Sequence, residues 1–280
     1  MNPTHHVAVG GTRLAVHTAG SGLPLVLLHA FPLDHSMWAG QEPLAEQVRL
    51  IVPDLRGFGA SDEALPGSIE ALADDVVALL DALHVGGPAV ICGISMGGYV
   101  AQHVAARHPE RVAAVILVAT KLEADSTEAR AGRADLAAKV GRLGLGILAD
   151  AMVPRLLADS AEARTAPGRA GIESLLRRTI LAQRIETVQA ALAALGARPD
   201  MTEPLRRLRP PALLVAGAED AITPPAFLQT AEAIIPRAKL LVVPSAGHMV
   251  PLEQPAVFNA AVLEFLRELP EGRLRAAAGA

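Results

Sequence analysis

The chain has 280 residues, 51% apolar, 19% charged and 2% aromatic, with 25 basic and 29 acidic side chains and a net charge of −4. That apolar content fills a large core and excludes a disordered chain or a disulfide-stapled miniprotein. The single cysteine, Cys92, makes neither an intramolecular disulfide nor a cysteine-based zinc site. Five Phe, one Trp and one Tyr on an acidic chain offer neither stacking rings nor a basic field for nucleic acid.

The chain starts without a basic stretch followed by an apolar one, so no signal peptide is expected, and the expected compartment is the cytoplasm. His5-His6 reads as an exposed leader and not as a metal site. Segments 6–9 and 13–17 flank Gly10-Gly11 and predict an antiparallel hairpin. Apolar runs at 25–29, 50–53, 89–94 and 113–119 have the continuous Val, Ile and Leu content of parallel strands buried on both faces. Between them, 68–84 carries Ile69, Leu72, Val76, Leu79, Leu80 and Leu83 at helical spacing, with Ser68 as its cap. A second helix spans 96–107 and stops at His108-Pro109.

From about 121 to 200 the buried-strand runs cease and helical patterns take over, at 127–143, 171–183 and 186–195. Strand and helix alternation resumes at 212–216, 225–235, 240–244 and 256–269. The expected architecture is one eight-stranded, mostly parallel α/β sheet flanked by helices. Residues 1–120 and 201–270 form its core, 121–200 form a helical cap inserted after the sixth strand, and 271–280 are a flexible tail. Segment 85–106 has no charged residue, but five glycines and Pro88 make it a strand, a turn and a core helix; no membrane span is expected.

Gly93-Ile94-Ser95-Met96-Gly97-Gly98 follows an apolar strand and opens a helix, the setting in which G-x-S-x-G exposes a nucleophilic serine. A serine hydroxyl needs a base to take its proton. His248, in Ser245-Ala246-Gly247-His248 after the last apolar strand, is the candidate. An acid must hold the imidazole, and Asp220, in Gly217-Ala218-Glu219-Asp220, reaches the same sheet edge; neighbouring Glu219 is the possible substitute. All three follow the carboxyl ends of strands, where open α/β sheets carry their ligand sites.

These motifs resemble the α/β-hydrolase superfamily over nearly the whole chain, which implies the α/β-hydrolase fold. His29-Ala30-Phe31-Pro32 is similar to the family's H-G-F-P loop, with alanine where glycine is usual. The resemblance implies that the backbone N–H groups of Phe31 and Met96 form an oxyanion hole and that His29 supports the loop. Asp54-Leu55-Arg56-Gly57-Phe58-Gly59-Ala60-Ser61 resembles the D-x-R-G-x-G-x-S segment, a brace without catalytic work. The motif set looks most like 3-oxoadipate enol-lactonases, small esterases and cofactor-free haloperoxidases, enzymes without metal or organic cofactor. Serine at the elbow, where dehalogenases and epoxide hydrolases carry aspartate, argues against those two.

The expected activity is therefore hydrolysis of a small-molecule carboxylic ester or lactone by Ser95, His248 and Asp220, in a largely aliphatic pocket to which Trp38 contributes. Carbon–carbon bond hydrolysis, perhydrolysis or a lyase reaction on the same triad is the alternative; a non-catalytic ligand-binding protein on this scaffold is the remote one. Segment 121–200 carries 12 basic and 10 acidic residues. Such a cap either favours anionic substrates or simply has solvated basic faces.

Overall fold

The computed structural model describes residues 5–269, so the expected tail at 271–280 lies outside the described residues. Eight strands form one sheet: β1 (His5–Val9), β2 (Thr12–Ala19), β3 (Pro24–Leu28), β4 (Arg49–Pro53), β5 (Ala89–Ile94), β6 (Val112–Val118), β7 (Ala212–Gly217) and β8 (Ala238–Val243). Their spatial order is β1-β2-β4-β3-β5-β6-β7-β8. Only the pairings of β2 with β1 and β4 are antiparallel; from β4 to β8 every neighbour is parallel. His5 and His6 are thus not a leader but strand residues, opposite Val16 and Ala15.

Sequence and burial agree strand by strand. Every residue of β3, β5, β6 and β7 is buried, as expected for all-apolar strands covered on both faces. The border strands β1 and β8 mix exposed and covered positions. The helices of the core are α1 (Ile69–Ala82) and α2 (Met96–Arg107). Ser68 caps α1 as its sequence predicts, its Oγ accepting from the Ala71 N–H at 3.1 Å. Nearly all of α2 is buried, which explains its mixture of Ala, Val, Gly and Gln: it is a core helix and not a half-solvated one.

Between β6 and β7 lie α3 (Thr127–Leu143), α4 (Gly146–Leu156), α5 (Ala161–Thr165), α6 (Arg169–Leu181), α7 (Ile185–Ala197) and α8 (Thr202–Arg206). The chain closes with α9 (Pro225–Ile234), α10 (Val250–Glu253) and α11 (Pro255–Arg267). A 3₁₀ segment, His35–Glu46, is absent from the sequence reading because it lacks the 3.6-residue period of an α-helix and carries Pro43 inside. It buries Met37, Trp38, Gln41 and Leu44. Among the described residues no helix is long and apolar enough to cross a membrane.

Candidate active site

Ser95 stands between the end of β5 and the first residue of α2, at φ 53° and ψ −114°. A non-glycine residue held at positive φ is strained, and the surroundings must over-determine it. They do so by backbone bonds: the Ser95 N–H donates to the Val118 carbonyl at 2.9 Å, and the Gly97 N–H donates to the His29 carbonyl at 3.1 Å. A Cβ on Gly97 would sit inside the Leu28 carbonyl, so only glycine lets the β3 loop lie against this turn. The side chain of Ser95 borders a cavity of about 240 Å³ together with Phe31 and His248.

His248 comes from the loop between β8 and α10 and is 2% exposed. Its Nδ1–H donates to Asp220 Oδ2 at 2.8 Å, which leaves Nε2 as the basic nitrogen. Asp220 is fixed in turn. Its Oδ1 accepts the N–H groups of Ile222 (2.8 Å) and Thr223 (2.9 Å), and its Oδ2 accepts the Thr223 hydroxyl at 2.8 Å. Burial works against the charge on Asp220, but His248 and these donors outweigh it and hold the carboxyl below its ordinary range. Glu219 is turned elsewhere: its carboxylate accepts the N–H groups of Asp159 and Ser160 and the Ser160 hydroxyl. The structure brings Asp220, not Glu219, to the imidazole.

His29 is fully buried, and both ring nitrogens serve the backbone. Nδ1–H donates to the Ala30 carbonyl at 3.0 Å, and Nε2 accepts the Leu55 N–H at 3.0 Å. Burial pushes its pKa down, so it is a neutral strut for the loop carrying Phe31. Ala30 has no positive φ, so the side chain in place of the usual glycine meets no backbone obstacle. Trp38 is not brought to the cavity; it is fully buried and packs against Phe258, with ring centroids 6.1 Å apart. The segment from Asp54 to Ser61 is a brace: Ser61 Oγ donates to the Asp54 carbonyl and accepts the Ala15 N–H. Asp34, His35 and Asp54 bring ligand atoms within 4.8 Å of one another, but Asp54 and Asp34 already accept from His35, Ser36 and Ala60. Cys92 is fully buried and its thiol is pushed upward by that burial, away from the thiolate a nucleophile needs.

A family model for the alpha/beta hydrolase fold matches residues 24–255. The chain belongs to the α/β-hydrolase family. Among solved structures, this α/β hydrolase is similar to a thermophilic esterase from Thermogutta terrifontis, with a TM-score of 0.89 and 38% identity over 96% of this chain and 99% of the other. It is 37% identical to the dihydrolipoyllysine-residue acetyltransferase component of the acetoin cleaving system of Pseudomonas putida, over 93% of this chain and 68% of that one. It is 33% identical to 3-oxoadipate enol-lactonase 2 of Acinetobacter baylyi, over 85% of this chain and 86% of that one. The expected resemblance to esterases and enol-lactonases is borne out, and with it a hydrolase of this subgroup.

Two residues of the hydrolase's site escape a sequence reading. Thr223 braces Asp220 and lies 3.2 Å from His248 Nδ1; an Asp-x-x-Thr spacing after β7 is its only signal. Glu253, on α10, reaches back with both oxygens. Oε2 accepts the Gly247 N–H at 2.8 Å, beside His248, and Oε1 accepts the Ala158 N–H at 2.6 Å, in the helical segment between β6 and β7. The Met249 N–H donates to the Leu156 carbonyl at 3.1 Å, and a Cβ on Gly247 would strike the backbone of Leu157 and Ala158. The histidine loop is therefore stitched to the chain between α4 and α5.

Proposed function

We propose that this α/β hydrolase cleaves carboxylic esters or lactones through an acyl-enzyme on Ser95, with residues 121–200 as the lid of the pocket. The observation that carries the reading is the pairing of His248 Nδ1–H with the buried, fully bonded Asp220 carboxylate, on the same cavity as the strained Ser95. His248 Nε2 takes the Ser95 proton as the hydroxyl attacks the acyl carbonyl, and it returns that proton to the departing alcohol. A water activated by the same nitrogen then releases the acid. The N–H groups of Phe31 and Met96 stabilise the oxyanion. The loop of Phe31 is held against the elbow by the Gly97–His29 bond, and Met96 opens α2, where the first N–H groups of a helix lack intrahelical partners. Phe31, Met152, Leu195, Ile222 and Phe227 give this pocket apolar walls.

The test is covalent labelling. A fluorophosphonate probe is expected to modify the wild-type protein at Ser95 and to leave folded Ser95→Ala unmodified, with turnover of p-nitrophenyl esters reduced by about 10⁴-fold or more in that variant. Unchanged ester hydrolysis in Ser95→Ala overturns the proposal. Turnover of β-diketones in place of esters and lactones moves the same residues to carbon–carbon chemistry.

A further inference from the structure

Several basic residues between β6 and β7 pair with acids on their own surface: Lys139 with Asp135, Arg164 with Asp159, Arg169 with Glu173 and Arg177 with Asp150. Two others face the cavity. Lys121 and Arg133 line the 240 Å³ cavity with Ser95 and His248. Arg133 also borders an adjoining cavity of about 460 Å³, which shares Phe31, Met152 and Ile222 with the first and carries Arg155 at its rim.

Among the described residues the one carboxylate on these walls is Asp125, and it is already surrounded. Arg198 pairs with it at 2.9 Å from behind, both side chains 2% exposed, while Arg198 stacks on Tyr99 with its guanidinium carbon 4.0 Å from the ring centre. Arg133 Nε donates to Asp125 at 2.5 Å, and Lys121 Nζ lies 3.4 Å from it. Asp125 is thus shared by three cations, of which Arg198 also feels the charge of Asp200, and the exposed Arg155 makes no ion pair among the described residues. Asp220 does not offset this excess, because it lies behind His248 and is bonded to it and to Thr223. The bond to Asp125 uses Nε of Arg133; among the described residues its two terminal nitrogens have no partner. That planar pair of donors matches a carboxylate in two-point geometry. Cations partly withdrawn from water without a full complement of counter-charge are costly, and an anionic ligand group removes that cost.

Resting on the reading of Ser95 as nucleophile, we propose that the enzyme selects anionic substrates, esters or lactones that carry a second, unreacting carboxylate bound by the Arg133 guanidinium with Lys121 beside it. Of the two readings of the basic cap, the inward geometry of these residues favours the first.

The experiment compares charged and neutral esters of matched shape. Monomethyl and dimethyl adipate place the charge on the acyl side; 4-acetoxybenzoate and 4-acetoxybenzamide place it on the leaving side. The wild type is expected to favour the charged member of at least one pair by about tenfold or more in kcat/KM, mainly through KM. In Arg133→Gln that ratio collapses toward one, and Arg133→Lys restores part of it. Equal use of both members of each pair by the wild type, or a ratio that survives Arg133→Gln, overturns the proposal. So does an enzyme labelled by fluorophosphonate at Ser95 that ignores all four esters. Absence of both turnover and labelling in folded protein instead refutes the nucleophile on which the proposal rests.

Discussion

The carboxyl edge of the sheet and the helical segment between β6 and β7 are held together by different means. At the edge, Ser95 and Asp220 sit on turns directly after the fully buried strands β5 and β7, His248 sits on the loop after the partly exposed β8, and backbone bonds fix those turns. In the helical segment, α3 fully buries only Val140 of its seventeen residues, whereas α2 buries ten of twelve. The helices there are tied to the core by side chains reaching backbone: Glu219 to Ser160, Glu253 to Ala158, and Arg184 and Thr187 to the Gly57 carbonyl. The edge is built to hold an orientation.

Two adjacent carboxylates separate the two regions, and they give the largest predicted contrast. Asp220→Asn keeps shape but loses the acceptor that sets the His248 tautomer, so ester turnover should fall by about 10³–10⁴-fold with little change in thermal midpoint. Glu219→Gln should leave kcat within a few-fold but speed limited proteolysis between residues 157 and 168, because the N–H groups of Asp159 and Ser160 lose a charged acceptor. A large rate loss in Glu219→Gln, with Asp220→Asn active, would reverse the assignment of the acid.

The same division explains what could be read from the sequence. Buried parallel strands announce themselves as unbroken apolar runs, and the elbow announces itself because its glycines are demanded by close approach, of Gly93 to the Gly97 carbonyl and of Gly97 to the Leu28 carbonyl. The histidine and its acid follow from strand ends and turn composition. Trp38 misleads for the opposite reason: closeness to Phe31 in sequence says nothing about direction, and the 3₁₀ segment turns the ring into the core against Phe258. α4 and α5 lack the periodicity of a two-sided helix, since α4 carries Pro154 inside and α5 is a five-residue turn. The contacts of Thr223 and Glu253 are products of tertiary structure. A pocket lined by Lys121 and Arg133 is likewise invisible in a charge count, where inward and solvated cations weigh the same.

An intermediate effect is expected where the two regions meet. Glu253 bonds Gly247 and Ala158 at once, and burial raises its pKa, so its charge is held there against a desolvation cost by the N–H donors. In Glu253→Gln the amide nitrogen must face one of those N–H groups, which breaks one stitch and leaves a buried donor unmet. Since one stitch adjoins His248, kcat should fall by about tenfold, with KM much less affected. An unchanged kcat would show that the Ala158 contact has no hold on the His248 loop.

The smallest effect is a slope in stability at the brace below the edge. His35 Nδ1–H donates to Asp54 Oδ1 at 2.7 Å, and the His35 ring stacks on His17 with centroids 3.7 Å apart. Burial pulls the His35 pKa down, but the bond to Asp54 and the charges of Asp54 and Asp34 outweigh it, so the net shift is upward from 6.5. A group with a raised folded pKa contributes stability that is fully present below its unfolded value and is lost as pH rises through the folded one. Wild-type stability from this pair should therefore decline as pH climbs above about 6.5. His29 and His103 are shifted the other way by burial and have the opposite sign; His103 is the same in wild type and in a His35 variant and cancels in the difference, while His29 loses only the smallest cause of its shift, the His35 charge. Denaturant midpoints at pH 6 and pH 8 should converge between wild type and His35→Gln as pH rises, with the variant the less stable at pH 6. A gap that stays constant would mean that Asp54 is held by its backbone donors, with the imidazolium adding nothing, and one that widens toward pH 8 would mean that burial lowers the His35 pKa.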